Sequence, residues 1–287
     1  DEARKVMRER FQTPDDAVVV MTLGRLTSVE KANPVPLFQA LKKVAQDQTK
    51  PVHLWMVGWA SRDTEQTLHE NGAMQICASV TVHFMDGRDA DIRSGIWSGA
   101  DIFTLPVDNI QETFGLVPVE AMAAGLPVVM PDWNGFRDTV VHGETGYLVP
   151  TVMAQAGSGP TIAQRFADGT DGYLQYLLLV QQQTTIDIPA YRDAFIALIE
   201  NPDRRRAMGT AGQRHVLANL DWKAVIPQYL DLTAELAKIR QGATPSTTRL
   251  SNTAISPTEV DPFTLYKSYP TSHPTADSFV THVRTVD

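Results

Sequence analysis

The chain has 287 residues, of which 43% are hydrophobic and 20% charged, a composition typical of folded globular proteins and not of disordered ones. The formal net charge of -8 argues against non-specific nucleic-acid binding, and the single cysteine excludes an intramolecular disulfide and a cysteine-based metal site. No apolar run approaches the roughly 18 residues of a membrane span. We therefore expect a cytoplasmic protein without a membrane span or a nucleic-acid partner.

The first residues, DEARKVMRERF, form a charged helical pattern that does not begin with methionine. A signal peptide would have an apolar core at this place, and this segment has none. We expect residues 1–16 to be a linker or helix that continues from a missing N-terminal domain.

Six short apolar runs follow between residues 17 and 150, and helical patterns separate several of them. The runs are AVVVMTLG, PVHLWMVG, TVHFMDG, ADIFTLP, LPVVMP and TGYLVP. Apolar runs of this length that end on Gly, Pro or Asp are typical of buried parallel strands joined by helical crossovers. The pattern predicts an α/β fold, a doubly wound, Rossmann-like parallel sheet of about six strands. Ligands of such sheets bind at the carboxyl ends of the strands.

Residues 151–187 interrupt this pattern with an apolar helical run between polar stretches, and we interpret them as an insertion. Helical spacing then resumes, broken at Asn201 and Pro202, and C-terminal helices complete a domain over residues 17–240. Residues 241–287 form a Ser, Thr and Pro-rich linker and a tail. We expect the tail to dock Phe263, Tyr266 and Tyr269 on a surface, which could also be one outside this chain.

The stretch ETFGLVPVEAMAAG carries two carboxylates, Glu112 before a predicted helix and Glu120 inside it. Gly115 lies at the entry of the helix and Gly125 at its end. The free N–H groups and positive dipole end of such a helix attract an anion, while the carboxylates can accept hydrogen bonds from sugar or ribose hydroxyls. The alternative is that both carboxylates are solvated surface residues.

The segment GRLTSVEK directly follows the first predicted strand. Arg25 offers a planar fork suited to bidentate phosphate contacts, and Lys31 offers a point charge on a flexible stem. Two cations at the end of a strand can neutralise a diphosphate. The alternative is that both residues pair with Glu30 or other surface acids.

Four segments occur in the order GRL with EK, ADIFTLP, ETFGLVPVEAMAAGLPVV and HGETGYLV. This order resembles the C-terminal, donor-binding half of glycosyltransferase family 4, the group 1 retaining enzymes with two Rossmann-like domains in the GT-B arrangement. The resemblance covers about residues 18–150 and resumes weakly over residues 191–236. The match from Glu112 to Val129 is the specific part of it.

The resemblance implies a role for each candidate residue. Arg25 and Lys31 correspond to the diphosphate-binding cations, with a spacing slightly longer than in many members. Glu112 corresponds to the first acid of the E-x7-E motif, the catalytic residue at the donor sugar, and Glu120 to the second, at the ribose. The remaining implied donor-binding residues are Thr113, Phe114, Gly115, Leu116 and Val117, and the implied base-binding residues are Phe84 and Met85.

We therefore expect the donor-binding half of a retaining glycosyltransferase that transfers a sugar from a UDP-sugar to an acceptor. The nucleotide-sugar is a substrate, so no cofactor is expected, and the resemblance implies no metal. The expected partner is a missing N-terminal Rossmann-like domain, without which the chain has little activity. Alternatives are a sugar phosphorylase or nucleotide-sugar epimerase of the same fold, or a non-catalytic nucleotide-sugar-binding module.

Overall fold

Six parallel strands form one sheet at the centre of the structure, a computed structural model that describes residues 2–48, 50–242 and 260–279. The strand order is β3-β2-β1-β4-β5-β6. The expected doubly wound α/β fold is confirmed, and each of the six predicted runs forms one strand. The strands are β1 (Val18–Arg25), β2 (Val52–Trp59), β3 (Thr81–Asp86), β4 (Ile102–Thr104), β5 (Val128–Pro131) and β6 (Gly146–Val149).

Both faces of the sheet are buried, which explains why its strands are continuous apolar runs rather than alternating ones. In β1, Val19 and Met21 belong to one apolar cluster, whereas Val18 and Val20 belong to a second cluster on the opposite face. Helices cover both clusters. The twelve helices of the described residues are α1 (Glu2–Arg10), α2 (Val35–Asp47), α3 (Asp63–Ile76), α4 (Ala90–Gly99), α5 (Leu116–Ala123), α6 (Phe136–Thr139), α7 (Pro160–Ala167), α8 (Tyr173–Gln181), α9 (Ile188–Ile199), α10 (Pro202–Asn219), α11 (Trp222–Gly242) and α12 (Pro262–Leu265).

Helix boundaries follow the capping residues of the sequence. Asp89 accepts hydrogen bonds from Asp91 and Ile92 at the start of α4. Asn201 accepts from the backbone N–H of Arg204, and Pro202 occupies the first turn of α10. The predicted break at Asn201 and Pro202 therefore separates α9 from α10.

Helix α1, which lies in the segment 1–16 expected to be a linker or helix, packs on α4. Its Arg8 is only 2% exposed and donates to one oxygen of Asp101 over 2.6 Å and to backbone carbonyls. Arg4 binds the other oxygen of Asp101, also over 2.6 Å. A buried carboxylate thus fixes α1 to the sheet domain.

The insertion at residues 151–187 contains two helices and a small antiparallel sheet. Strand β7 (Thr151–Met153) pairs with β8 (Thr184–Ile186), and α7 and α8 lie between them in the chain. The sequence predicted a helix here but not the two strands, which have only three residues each. The last residue of α8, Gln181, contacts the loop after β1 and so connects the insertion to the parallel sheet.

Residues 260–279 of the C-terminal tail dock on the insertion and on the loop after β5. Asp261 caps α12 and accepts the backbone N–H of Gly159 over 2.7 Å, and Phe263 is buried. Ser272 forms a parallel bridge with Val152 of β7. The surface that accepts the tail aromatics therefore belongs to this chain, whereas most of the predicted linker lies outside the described residues.

Candidate functional site

The carboxyl end of β1 carries the two cations that the sequence singled out. Arg25 ends the strand and is exposed, and within the described ranges its side chain has no ion pair and no hydrogen bond. It borders a small cavity together with Leu105 and Pro106, which follow β4. Because β1 and β4 are neighbouring parallel strands, Arg25 lies beside the loop that leads to α5.

Lys31 lies in the loop between β1 and α2, and its ammonium group binds the carboxylate of Glu112 over 2.5 Å. Both side chains are mostly buried, with 23% and 15% of their surfaces exposed. Lys31 therefore pairs with a carboxylate of the predicted site and not with Glu30. The contact brings the two predicted sequence clusters together at the carboxyl edge of the sheet.

Asn109 connects the loop that carries Lys31 to the segment that leads to Glu112. Its side-chain amide donates to the backbone carbonyls of Val29 and Lys31, and its side-chain oxygen accepts the backbone N–H of Gln111. Asn109 is 1% exposed. Its fully used amide holds the Lys31 loop against the segment that leads to Glu112.

The segment after Glu112 presents backbone donors that no other group takes up. Within the part of the chain that the structure describes, the N–H groups of Thr113, Phe114 and Gly115 have no hydrogen-bond acceptor. Gly115 has a φ of 78°, in the left-handed region, and directly precedes α5. Unpaired N–H groups at the positive end of a helix form a site for an anion.

The geometry at Gly115 admits no side chain. A Cβ atom there would lie 2.3 Å from Cε1 of Phe136, and a Cβ on the neighbouring Gly135 would lie 2.1 Å from the carbonyl oxygen of Thr113. The loop after Glu112 thus packs directly on the loop after β5. Phe114 and Leu116, on either side of Gly115, are exposed, and Val117 is half-buried.

Glu120 lies on α5, one turn beyond its start, with an exposed side chain. Partial burial nonetheless raises its pKa above the ordinary value. Among the described residues, no hydrogen bond or ion pair engages its carboxylate. The described contacts therefore connect Glu112 but not Glu120 to Lys31.

Phe84 and Met85, at the end of β3, line a separate cavity of about 230 Å³ with Gly58 and Trp59 at the end of β2. The guanidinium of Arg88 lies 5.5 Å from the centre of the Trp59 ring. None of Arg25, Lys31, Glu112 or Glu120 lines this cavity. The candidate base-binding residues on β3 and the candidate diphosphate-binding residues at and after the end of β1 thus lie along the same edge of the sheet, with β2 between them.

Asp108 is a buried acid of this loop that the sequence did not indicate. Its Oδ1 accepts from the side-chain amide of Gln181 over 2.6 Å and from the backbone N–H of Asn33 over 3.3 Å. Burial raises its pKa to about 7. The same amide of Gln181 donates to the carbonyl of Ser28, so Asp108 links the insertion to the Lys31 loop.

The loop after β5 contributes two further residues. Trp133 is buried and donates its ring N–H to the carbonyl of Asn109 over 3.0 Å, so it packs against the segment that leads to Glu112. Asn134 donates to the carbonyls of Glu112 and Thr113 over 3.2 and 3.4 Å. The sequence indicated Asn134 only weakly, as a polar residue shortly after a predicted strand and directly before Gly135.

Residues 17–158 match the family model of the group 1 glycosyl transferases. The region of residues 17–158 belongs to the group 1 glycosyltransferases. The matched range contains the whole parallel sheet, both loops of the candidate site and Glu120.

Relatives and solved structures of this glycosyltransferase domain agree with the family. The chain is 27% identical over 238 residues to the D-inositol 3-phosphate glycosyltransferase of Corynebacterium efficiens. The aligned region covers 82% of this chain and 47% of the relative. It superimposes on Anabaena HepE, crystallised with UDP-glucose, with a TM-score of 0.56, 20% identity and coverage of 82% and 53% of the two chains. The chain spans about half the length of the curated relatives it matches.

A third comparison concerns a single domain. The C-terminal domain of a group 1 glycosyl transferase, LpcC, from Francisella tularensis superimposes with a TM-score of 0.50 and 16% identity, and the match covers 77% of this chain and 95% of that domain. At this identity the similarity shows the fold. In the described residues no helix is long and apolar enough to cross a membrane, and no three His, Cys, Asp or Glu side chains cluster as metal ligands.

Proposed function

We propose that this chain is the donor-binding half of a retaining glycosyltransferase that transfers a sugar from a UDP-sugar to an acceptor. The observation that supports the proposal most strongly is the contact between Lys31 and Glu112, next to the unpaired N–H groups of residues 113–115. The cation and the free backbone N–H groups suit the two phosphates of a nucleotide-sugar, and the carboxylate suits the hydroxyls of its sugar. The HepE complex with UDP-glucose supports the choice of a UDP-sugar.

In this proposal the sugar diphosphate lies across the carboxyl ends of β1 and β4. When the bond from the sugar C1 to the phosphate oxygen breaks, its electron pair passes to that oxygen, and the acceptor hydroxyl bonds to C1 and gives its proton to the departing phosphate oxygen. Arg25, Lys31 and the N–H groups of residues 113–115 stabilise the negative charge of the departing diphosphate. No group of this proposed step requires a metal.

The two carboxylates take different positions in the proposal. Glu112 accepts hydrogen bonds from the donor sugar at the reacting face, where its contact with Lys31 holds it next to the diphosphate. Glu120 accepts from the ribose hydroxyls. The uracil base lies in the cavity lined by Phe84 and Met85.

A missing Rossmann-like N-terminal domain completes the proposed enzyme and supplies the acceptor site. The C-terminal domain of the Francisella tularensis protein, matched over 95% of its length, supports this assignment. Helix α11 also has no buried residue, and Trp222, Tyr229 and Leu230 on it are between 62% and 74% exposed. These apolar residues are available for a further domain.

Calorimetric titration of the chain with UDP, GDP, ADP, uridine, inorganic phosphate and a sugar phosphate tests the donor site. UDP is expected to bind, and Arg25→Met is expected to weaken UDP by roughly 10-fold to 100-fold, as for a lost hydrogen bond to a charged group. Uridine, which has no diphosphate, is expected to bind both proteins equally. Arg93→Met, at an exposed position of α4, is the matched control.

Two outcomes would contradict the proposal. If no nucleotide binds the unaltered chain, the donor site is wrong. If Arg25→Met weakens UDP and uridine equally, the diphosphate role of Arg25 is wrong. Binding of phosphate or sugar phosphate in preference to UDP would instead indicate a phosphorylase.

A further inference from the structure

The carbonyl groups of Glu112 and Thr113 are held by a single side chain, the amide of Asn134. Asn134 has a φ of 43°, a left-handed conformation that asparagine tolerates better than most residues. This conformation turns the chain at the end of β5 toward the Glu112 loop. Asn134 therefore positions the backbone that carries both the candidate carboxylate and the unpaired N–H groups.

Asn134 is itself held by the C-terminal tail. Its backbone N–H donates to the carbonyl of Tyr269 over 3.1 Å. The Tyr269 ring packs edge-on against Trp133, with 5.5 Å between the ring centres. Trp133 in turn donates to Asn109, which binds the Lys31 loop. Tyr269 thus contacts Asn134 and Trp133, the two residues of the loop after β5 that support the candidate site.

Arg137 fixes the tail at the same place. Its guanidinium donates to the carbonyls of Ser268 and Tyr269 over 2.8 and 2.9 Å, and to the side chain and carbonyl of Asp132. The hydroxyl of Thr271 donates to the other oxygen of Asp132 over 2.7 Å. The planar fork of arginine makes these contacts at once, which a lysine ammonium cannot do.

We infer that residues 266–273, called the strap below, are a positioning element of the donor site. The strap holds Asn134 through Tyr269 and Arg137, and Asn134 holds residues 112 and 113. Releasing the strap loosens the Glu112 loop, although in the described residues no strap residue forms a hydrogen bond or ion pair with Lys31, Glu112 or Glu120. The assignment of the loop to the donor sugar rests on the proposed function, whereas the mechanical link does not.

Amide hydrogen exchange and calorimetry on the 287-residue chain test this inference with two variants. Asn134→Gly keeps the left-handed conformation accessible but removes the side-chain amide. Arg137→Met removes the contacts with Ser268, Tyr269 and Asp132. Arg192→Met, which removes a half-buried arginine paired with Asp193 and Asp47 away from the strap, is the matched control.

Both variants are expected to raise amide exchange at least 10-fold at the bonded amides on either side of the Glu112 loop, Gln111 and helix α5, while leaving β1 and β2 unchanged. UDP-glucose affinity is expected to fall about 10-fold and UDP affinity by less, because Glu112 acts on the sugar in the proposed site. Asn134→Asp, which has the shape of asparagine but no amide donor, is expected to behave like Asn134→Gly.

Unchanged exchange at Gln111 and in α5 in Asn134→Gly would overturn the inference. The same holds if Arg137→Met raises exchange in the strap but not at Gln111 or in α5. If the unaltered chain does not bind UDP-glucose, the proposed function fails, and the exchange measurements still decide whether the strap positions the loop.

Discussion

The contact between Lys31 and Glu112 joins two side chains that are 81 positions apart in the sequence. The sequence indicated both residues, because each follows a predicted strand in a segment typical of phosphate or sugar binding. It did not indicate that they bind each other, since the spacing of residues within one loop carries no information on the loop of another strand. The pair therefore had to be found in three dimensions.

Removal of the Glu112 charge is expected to change the affinities for UDP and UDP-glucose by different amounts. In Glu112→Gln the Lys31 ammonium loses its anionic partner and is fully available to the diphosphate, so UDP is expected to bind a few-fold more tightly, by about 1 kcal/mol for a partly exposed ion pair. UDP-glucose is expected to gain less or to lose affinity, because the sugar loses its carboxylate. Calorimetry with both ligands measures the difference.

Asp138→Asn, an exposed acid on α6, is the control for a general change of charge. It is expected to leave both affinities within 2-fold. Weaker binding of UDP to Glu112→Gln than to the unaltered chain would show that Glu112 does not compete with the diphosphate for Lys31.

Asp108 provides a pH-dependent contribution to stability. Burial raises its pKa to about 7 in the folded state, so the folded chain holds a proton that the unfolded chain releases above about pH 4. The free energy of unfolding is therefore expected to fall as the pH rises from 4 to 7. Asp108→Asn removes this proton linkage while keeping an oxygen for Gln181 and Asn33.

The stability of Asp108→Asn relative to the unaltered chain is expected to increase between pH 4.5 and pH 7.5, by the order of 2 kcal/mol for a shift of this kind. Urea unfolding at several pH values measures it. A difference between the two proteins that does not vary with pH would contradict the raised pKa.

The loop from Glu112 to Gly115 and helix α5 behave as one element. Gly115 and Gly125 marked both ends of the helix in the sequence, and the structure gives both a positive φ. The packing of this element on Gly135 and Phe136 was not predictable, because close approach of two loops depends on the order of β4 and β5 in the sheet. The sequence thus indicated the element but not its support.

Substitution of Gly115 by alanine is expected to lower the unfolding free energy by more than the strain of its left-handed backbone conformation alone. Gly143 has nearly the same φ, 80° against 78°, but a Cβ there would meet nothing within 4 Å. Gly143→Ala is therefore expected to cost about 1 kcal/mol of unfolding free energy for the left-handed conformation. Gly115→Ala adds the contact with Phe136, for a further 1 to 3 kcal/mol or so.

Chemical denaturation of the two variants measures this difference, and UDP titration of folded Gly115→Ala reports whether the displaced loop still binds. Equal destabilisation of both variants would show that the Glu112 loop moves away from Phe136 without cost.

At the scale of the molecule, the described residues attach three segments to the helix-covered sheet: helix α1, the insertion and the tail. The sheet was predictable, because each strand is a local apolar run. The attachment of the additions was not, since contacts such as Arg8 with Asp101 or Thr271 with Asp132 span 93 and 139 positions. Local patterns of residues do not determine such pairings.

Arg8 is expected to contribute strongly to the stability of the whole domain. Arg8→Ala leaves the mostly buried Asp101 with one arginine and removes the donor from the carbonyls of Gly99 and Ala17, which is expected to cost about 3 kcal/mol. Arg192→Ala breaks a more exposed pair of the same length, 2.6 Å, and a longer contact with Asp47, and is expected to cost under about 1 kcal/mol.

Thermal and urea unfolding of the two variants provide the comparison. Similar stabilities of Arg8→Ala and Arg192→Ala would show that α1 contributes little to the fold of this domain.

The strap also determines when the site can form during synthesis of the chain. Glu112, Asn134 and Arg137 leave the ribosome well before Tyr269, so the Glu112 loop remains without this support until 132 more residues after Arg137 have been synthesised. Pairings this distant in sequence close slowly, because the loop entropy must be lost before the contacts form. A ribosome-bound chain that ends before the strap therefore carries a folded sheet with an unfinished site, and maturation of the site is expected to be a late step that follows folding of the core.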